Sequence, residues 1–255
     1  MDGQIVFAFL LTLFAGLSTG IGALLSYFIK KAKFHYLSFL LGFSAGVMIF
    51  VSFMELLTAA IDGIGFLAGN LGFFGGIVGI YLVDKFIPHK HVDTKPDAFH
   101  TSEEQQQRLA EAGVLTAVGI AIHNFPEGLA VFAVSLESIS LGVPIAIAIA
   151  IHNIPEGIAV AIPIYYATGD RKKAFLYSLF SGVAEPIGAA IGFLVLAPFI
   201  SKAVLNLTLG IVGGIMVFIS FDELIPISRD YGGEHVSGLG LFTGMFIIMV
   251  SLHLL

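Results

Sequence analysis

The sequence contains no cysteine and little charge. Without cysteine the chain has no disulfides, no thiolate metal ligands and no cysteine nucleophile. Charged residues make up 12% of its 255 residues, against about 25% in ordinary soluble domains. Hydrophobic residues make up 57%, and the mean hydropathy is +0.96. Because so little charge cannot cover a soluble surface, the composition predicts a polytopic protein that has the lipid bilayer as a partner.

Basic residues are the scarcer of the two charge types. The 12 Lys and Arg residues are outnumbered by 18 Asp and Glu residues, which gives a formal net charge of −6. No basic stretch is long enough to follow a nucleic-acid backbone. Nucleic acid is therefore excluded as an expected partner.

Uncharged apolar runs long enough to cross a bilayer as a helix, about 20 residues, occur eight times. They predict an all-α integral membrane protein that forms one transmembrane domain over residues 1–255. One stretch reads as a water-exposed loop, residues 84–112. The eight predicted spans are residues 5–29, 34–60, 64–83, 114–136, 141–165, 174–198, 203–225 and 236–255.

The positions of Lys and Arg indicate the orientation, because these residues collect on the cytoplasmic side of membrane proteins. Eleven of the 12 lie in the loops on one side, which include loop 84–112, and Lys202 alone lies on the other. With eight spans, both termini are then expected outside the cytoplasm. The expected location is the cell (inner) membrane.

Two segments that lie 168 residues apart resemble each other. Residues 46–57 read GVMIFVSFMELL and residues 214–225 read GIMVFISFDELI, with seven of twelve positions identical. The copies lie in spans 2 and 7, five crossings apart, so they run through the membrane in opposite directions. This pattern predicts an inverted repeat that relates spans 1–3 to spans 6–8, a common construction among transporters.

A second repeat lies on the adjacent spans 4 and 5. Residues 123–131 read HNFPEGLAV and residues 152–160 read HNIPEGIAV. Both motifs fall near the middle of their spans. The expected arrangement is therefore 3 + 2 + 3 spans, in which a central antiparallel pair carries the polar groups where inverted-repeat transporters place their substrate sites.

Three carboxylates, Glu127, Glu156 and Glu185, are predicted near the bilayer centre. Insertion scales put the cost of each such charge in the bilayer centre at about 3 kcal/mol, or roughly 9 kcal/mol for all three. No Lys or Arg lies inside these spans to neutralise them. Protons, water access or a bound cation must therefore compensate.

The HNxPEG motif offers a ready set of metal ligands. Its His, Asn and Glu are three or four residues apart, so they share one face of a helix. Imidazole, amide and carboxylate groups together suit borderline divalent metals such as Zn, Fe, Mn or Co. The absence of cysteine agrees with this ligand chemistry.

Further ionisable residues leave two interpretations open. Glu55, Asp222 and Glu223 lie nearer the ends of spans 2 and 7, where a role in a metal pathway and a structural or interfacial role are both compatible with the sequence. For three histidines in loop 84–112, the alternatives are transient metal capture and simple solvation. These histidines are His89, His91 and His100.

The paired motifs, Glu185 in the sixth span and eight spans with both termini outside resemble the ZIP (Zrt/Irt-like, zinc/iron permease) family of divalent-metal transporters, in particular its prokaryotic ZupT-like branch. The resemblance extends over essentially the whole chain. It implies import of Zn(II) into the cytoplasm, with Fe(II), Mn(II), Co(II) and Cd(II) as further substrates. The metals would be cargo and not a prosthetic group, and homodimers are frequent in such a family.

The resemblance also implies a central binuclear site on spans 4, 5 and 6, in which Glu127 and Glu156 bridge two metal positions. The first position would be formed by His123, Glu127, His152 and Glu156. The second would be formed by Asn124, Glu127, Asn153, Glu156 and Glu185.

The alternative from another functional class is an intramembrane zinc-dependent hydrolase, in which two His and a carboxylate hold zinc and another Glu acts as general base. The H-E-x-x-H motif is absent. A hydrolase also gives no reason for an inverted repeat. The sequence therefore favours a transporter that is not an enzyme.

The orientation can be tested with single cysteines, because the chain has none of its own. Cysteines introduced at Glu103 and at Asp62 are expected to be labelled by a membrane-impermeant maleimide from opposite sides, with Glu103 on the cytoplasmic side. Labelling of both positions from the same side of intact cells would overturn the predicted topology.

Overall fold

All regular secondary structure in the described part of the chain is helical. The structure, a computed structural model, describes residues 2–28, 34–85, 103–196, 199 and 201–254. Its α-helices are α1 Asp2–Ser26, α2 Phe34–Val51, α3 Thr58–Ile64, α4 Phe66–Asp84, α5 Glu103–Glu137, α6 Ile139–Thr168, α7 Arg171–Leu196, α8 Lys202–Ile219, α9 Ile225–Gly232 and α10 Glu234–Leu254. Two π-helical segments join α2 to α3 and α8 to α9, at Ser52–Leu57 and Ser220–Leu224.

Eight helical stretches of the described chain are long and apolar enough to cross a membrane. Each coincides with one predicted span, so the prediction of an all-α multi-pass membrane protein is confirmed. Two stretches continue at least four residues past their predicted ends. The second continues past residue 60 to Ile64, and the seventh continues past residue 225 to Gly232.

Both of these longer stretches end at a glycine with positive φ. Gly65 has φ 87° and Gly233 has φ 81°, in a region of backbone conformation that other residues rarely adopt. Each glycine accompanies a turn between two membrane-length helices. The end of the helix is therefore set by this backbone requirement and not by the end of the apolar run.

The predicted loop 84–112 is shorter than expected. Helix α5 begins at Glu103, so the last ten residues of that loop belong to the helix. Glu and Gln are good helix formers, and the Glu residues in the first turn complement the positive end of the helix dipole. A polar composition predicts exposure to water, but it does not exclude a helix.

The eight membrane-length stretches pack as two groups. Helix α1 packs mainly on α6 and α7, and α5 packs mainly on the same two helices. In the other group, α2 packs on α10 and α4 packs on α8. The groups meet where α2 contacts α6 and where α8 contacts α5.

Close helix contact in the second group depends on glycine. A Cβ atom at Gly76 of α4 would meet the backbone carbonyl oxygen of Ile211 in α8. A Cβ atom at the preceding Gly75 would meet no atom within 4 Å. Only one of these two adjacent glycines therefore needs to be small for packing within the chain.

This contrast gives a stability test. Gly76→Ala is expected to destabilise the protein by about 1–3 kcal/mol, since overpacking must separate α4 from α8. Gly75→Ala is the matched control and is expected to leave stability unchanged or to raise it slightly, because alanine favours the helix. Thermal unfolding of the detergent-purified variants by circular dichroism measures both. Equal midpoints for the two variants would contradict the packing described here.

Candidate metal site

The two HNxPEG motifs face each other across the contact between α5 and α6. Ser138 alone separates these helices in the chain, so α6 reverses direction and packs back along α5. Both helices continue through the motif prolines, Pro126 and Pro155. The result is an antiparallel pair with both motifs at a similar depth.

The first contact between the motifs joins an imidazole to a carboxylate. His152 Nε2 lies 3.3 Å from Oε1 and 3.3 Å from Oε2 of Glu127, and both side chains are fully buried. The ring nitrogen thus faces the whole carboxylate group. One motif's histidine and the other motif's glutamate therefore point to a common place between α5 and α6.

The motif asparagines are held by backbone carbonyls of the flanking helices. Asn124 Nδ2 donates to the carbonyl oxygen of Ser181 in α7 at 3.1 Å. Asn153 Nδ2 donates to the carbonyl oxygen of Ala15 in α1 at 2.9 Å. Because each amide nitrogen is fixed on a neighbouring helix, the orientation of each amide oxygen is fixed as well.

Glu185 of α7 joins the second motif. It accepts a short hydrogen bond from Asn153 Nδ2. This bond places Glu185 beside the second motif. Glu127, Glu156 and Glu185, the three carboxylates that the sequence predicts near the bilayer centre, are all fully buried.

Three amide or carboxylate oxygen atoms in this region are buried and accept no hydrogen bond from any described residue. Buried polar atoms normally have a partner, so each such atom requires an explanation. All three belong to residue types that ligate divalent metals through oxygen. They are Asn124 Oδ1, Asn153 Oδ1 and Glu185 Oε2.

The glycine of each motif lets a flanking helix pack closely against the helix that carries the motif. A Cβ atom at Gly128 would meet the backbone carbonyl of Glu185 in α7, and one at Gly157 would meet that of Thr19 in α1. These contacts place α7 against the first motif and α1 against the second. The position of Glu185 beside the motif pair thus depends on Gly128.

Glu156 has a partner on a helix outside this group. Ser44 of α2 donates to Glu156 Oε1 at 2.6 Å, and both side chains are fully buried. Helix α2 contacts α6 where the two helix groups meet. Ser44 is therefore a polar residue next to the site that the motifs alone do not predict.

The predicted pathway residue Glu55 lies in the first π-helical segment and lines a cavity of about 410 Å³. Asp62, Glu137 and Lys202 line the same cavity. Asn206 Nδ2 donates to Glu137 Oε1 at 3.0 Å on its wall. Because Glu137 ends α5, this cavity lies on the C-terminal side of Glu127 along that helix.

The other predicted pathway residues, Asp222 and Glu223, lie in the second π-helical segment. Asp222 is exposed and Glu223 is partly buried. A Cβ atom at Gly119 of α5 would lie 3.0 Å from Glu223 Oε2. Since Gly119 precedes Glu127 by about 12 Å of helix, Glu223 and the cavity at Glu55 lie on opposite sides of the first motif along α5.

Some predicted residues lie outside the described part of the chain. These are His89, His91, His100 and the side chain of His123. Among the side chains that are described, no group of three or more His, Asp or Glu residues is arranged to hold a metal ion. The described site therefore consists of linked pairs, Glu127 with His152 and Asn153 with Glu185, which the buried carboxylate of Glu156 adjoins.

Comparison with known proteins places this geometry in a family. The family model described as ZIP Zinc transporter matches residues 88–252, a range that holds both motifs and Glu185. The chain belongs to the ZIP family. A relative named Zinc transporter ZupT, from Nitratidesulfovibrio vulgaris, is 48% identical over 98% of each chain.

Two further ZIP relatives bear the same name. The one from Campylobacter jejuni is 48% identical over 99% of this chain and 97% of its own. The one from Streptococcus mutans is 49% identical over 99% of this chain and 98% of its own. The predicted resemblance to the ZIP family and its ZupT-like branch is confirmed.

Membership of the ZIP family decides between the two functional classes. The family and these relatives are named as transporters and not as enzymes. The chain therefore belongs to a family of membrane transporters, and the hydrolase alternative is rejected.

Sequence patterns did not indicate three groups that shape the site in this ZIP chain. Two are the backbone carbonyls of Ala15 and Ser181, which hold the motif asparagines. The third is the hydroxyl of Ser44. Carbonyls leave no trace in a sequence, and serine is common wherever membrane helices pack closely.

Proposed function

We propose that this chain imports Zn(II) into the cytoplasm through a site between α5, α6 and α7, with Fe(II), Mn(II), Co(II) and Cd(II) as further substrates. The observation that carries the proposal is the full burial of Glu127, Glu156 and Glu185, with Glu127 in contact with His152 and Glu185 in contact with Asn153 of the other motif. The chain has no Lys or Arg from residue 109 to residue 170. A divalent cation supplies the positive charge that balances these buried carboxylates.

The chemistry of the ligands supports zinc and similar metals. His152 contributes an imidazole nitrogen next to the carboxylate of Glu127. Mixed nitrogen and oxygen ligands suit Zn(II) and its borderline neighbours better than Mg(II) or Ca(II), which prefer oxygen alone. The names of the relatives agree with zinc as a substrate.

We further propose two adjacent metal positions that share Glu127 and Glu156. His123 and His152 complete the first position, and Asn124, Asn153 and Glu185 complete the second. The two contact pairs support this division, because Glu127 pairs with an imidazole and Glu185 pairs with an amide. The buried amide and carboxylate oxygens that accept no hydrogen bond belong to the proposed second position.

The proposed 3 + 2 + 3 arrangement with an inverted repeat is supported by matched positions. The two π-helical segments begin at Ser52 and Ser220, which are 168 residues apart, as are Gly65 and Gly233. The helix contacts are matched as well. The proposed repeat equates spans 1–3 with spans 6–8 and span 4 with span 5. Under this relation, the contact of α1 with α6 corresponds to that of α7 with α5, and the contact of α2 with α10 corresponds to that of α8 with α4.

The proposed path crosses the membrane from the cavity at Glu55 to the segment that holds Asp222 and Glu223. In the proposed orientation, with both termini outside, the cavity opens to the outside and Glu223 lies toward the cytoplasm. A divalent cation that moves inward through an interior-negative potential of about 100 mV gains about 4.6 kcal/mol. This energy sustains accumulation of roughly a thousandfold without nucleotide hydrolysis.

The shared carboxylates give the direct test of this function. Glu127→Ala and Glu156→Ala are each expected to reduce uptake of radioactive zinc into proteoliposomes to background, because each change removes a ligand from both positions. Glu234→Ala is the matched control, since Glu234 is an exposed carboxylate at the start of α10. Size-exclusion profiles verify that all variants are folded. Near-normal uptake by a folded Glu127 or Glu156 variant would refute the shared site.

The two ends of the path are separable by kinetics. Glu55→Gln is expected to raise the apparent KM for zinc severalfold with little change in maximal rate, because it lowers the local cation concentration at the entrance. The double variant Asp222→Asn, Glu223→Gln is expected to lower the maximal rate instead, because it impairs release. Concentration series of zinc uptake distinguish the two patterns. The same pattern in both variants would remove the assignment of entrance and exit.

A further inference from the structure

The hydrogen bond from Ser44 to Glu156 differs from the other described hydrogen bonds of buried serines in its acceptor, which is a carboxylate. Ser52, Ser135 and Ser220 each donate to a carbonyl oxygen four residues earlier in their own helix. Ser44 instead donates to a carboxylate on another helix, at 2.6 Å. The hydroxyl of Ser44 thus acts between helices, and its acceptor is one of the carboxylates of the proposed metal site.

The geometry leaves Glu156 as the preferred acceptor. The hydroxyl has one proton, and its other acceptor in reach, the carbonyl oxygen of His152, lies at 3.5 Å. At 3.5 Å a hydrogen bond is at the limit of normal geometry, whereas 2.6 Å is typical of a hydroxyl that donates to a charged oxygen. The Ser44 hydroxyl is therefore directed at Glu156 and holds its Oε1 atom.

We infer that Ser44 is a positioning residue for zinc: its hydroxyl holds Oε1 of Glu156 so that the rest of the carboxylate is directed to the metal. This inference rests on the proposed function. A carboxylate oxygen accepts more than one interaction, so the bond leaves room for ligation. Ligating carboxylates are commonly hydrogen-bonded by a neighbouring residue, and loss of such a partner typically lowers metal affinity by about 10–100-fold.

The support from Ser44 has no equivalent at the matching place in the other half of the chain. Helix α8 packs on α5 as α2 packs on α6, and it carries Val212 at the position 168 residues after Ser44. Valine cannot donate a hydrogen bond. The described partner of Glu127 is instead His152 of the other motif. Among the described residues, a hydroxyl at this place therefore supports Glu156 and not Glu127.

The test compares four variants with the wild type. Ser44→Ala removes the hydroxyl. Ser44→Thr and Ser44→Val have nearly the same shape and differ in the presence of the donor, so they separate the hydrogen bond from packing. Ser52→Ala is the matched control, because Ser52 is a fully buried serine of the same membrane-length stretch that donates to Met48 of its own helix.

Zinc binding to the detergent-purified proteins is measured by calorimetry, and initial rates of zinc uptake are measured in proteoliposomes. Ser44→Ala and Ser44→Val are expected to raise the Kd and the apparent KM for zinc by about tenfold or more, with maximal rates within about twofold of the wild type. Ser44→Thr and Ser52→Ala are expected to keep wild-type values. A merely structural role would lower the maximal rate and the stability of the variants without this selective change in KM.

Three results would overturn the inference. The first is a wild-type zinc Kd for Ser44→Ala or, if that variant does not fold, for Ser44→Val. The second is tighter binding without the hydroxyl, which would mean that Ser44 competes with the metal. The third is equal loss in Ser44→Thr and Ser44→Val, which would assign the effect to shape. If the wild type itself neither binds nor transports zinc, the proposed function fails, and this outcome is distinct from all three.

Discussion

Three carboxylates buried among apolar helices set the main physical constraint on this ZIP chain. Removing such groups from water is costly, and no Lys or Arg lies in the predicted spans that carry them. The structure places polar groups against all three: an imidazole next to Glu127, a serine hydroxyl that donates to Glu156 and an amide that donates to Glu185. The hydroxyl and the amide orient carboxylates, but they do not supply positive charge. The remaining need for positive charge is the basis on which a cation is proposed at this part of the fold.

The packing of the helices serves the same constraint. The motif glycines let α7 and α1 approach α5 and α6 closely enough for backbone carbonyls to hold the motif asparagines. Larger residues at Gly128 or Gly157 would separate these helices. The polar groups would then lose their fixed directions. The sequence HNxPEG therefore combines metal-ligand residue types with the glycine that positions the next helix.

Much of the fold and of the candidate site could be predicted from the sequence. Apolar runs located all eight membrane-length stretches, because span length is set by bilayer thickness. The sequence did not reveal the π-helical segments, since an extra residue in one turn changes neither composition nor length noticeably. It also did not reveal that Ser44 reaches Glu156, because that contact joins residues 112 positions apart. Pairings between distant helices depend on packing angles that residue types alone do not specify.

The most direct test of the account is to locate zinc in the protein itself. Crystals or frozen solutions of the zinc-loaded wild type would be compared with those of Glu127→Ala by anomalous diffraction or X-ray absorption at the zinc edge. The account predicts zinc between α5 and α6, with ligands that include His152 and the carboxylates of Glu127 and Glu156, and loss of this zinc in the variant. Zinc found only at the protein surface, or an unchanged zinc environment in Glu127→Ala, would contradict it.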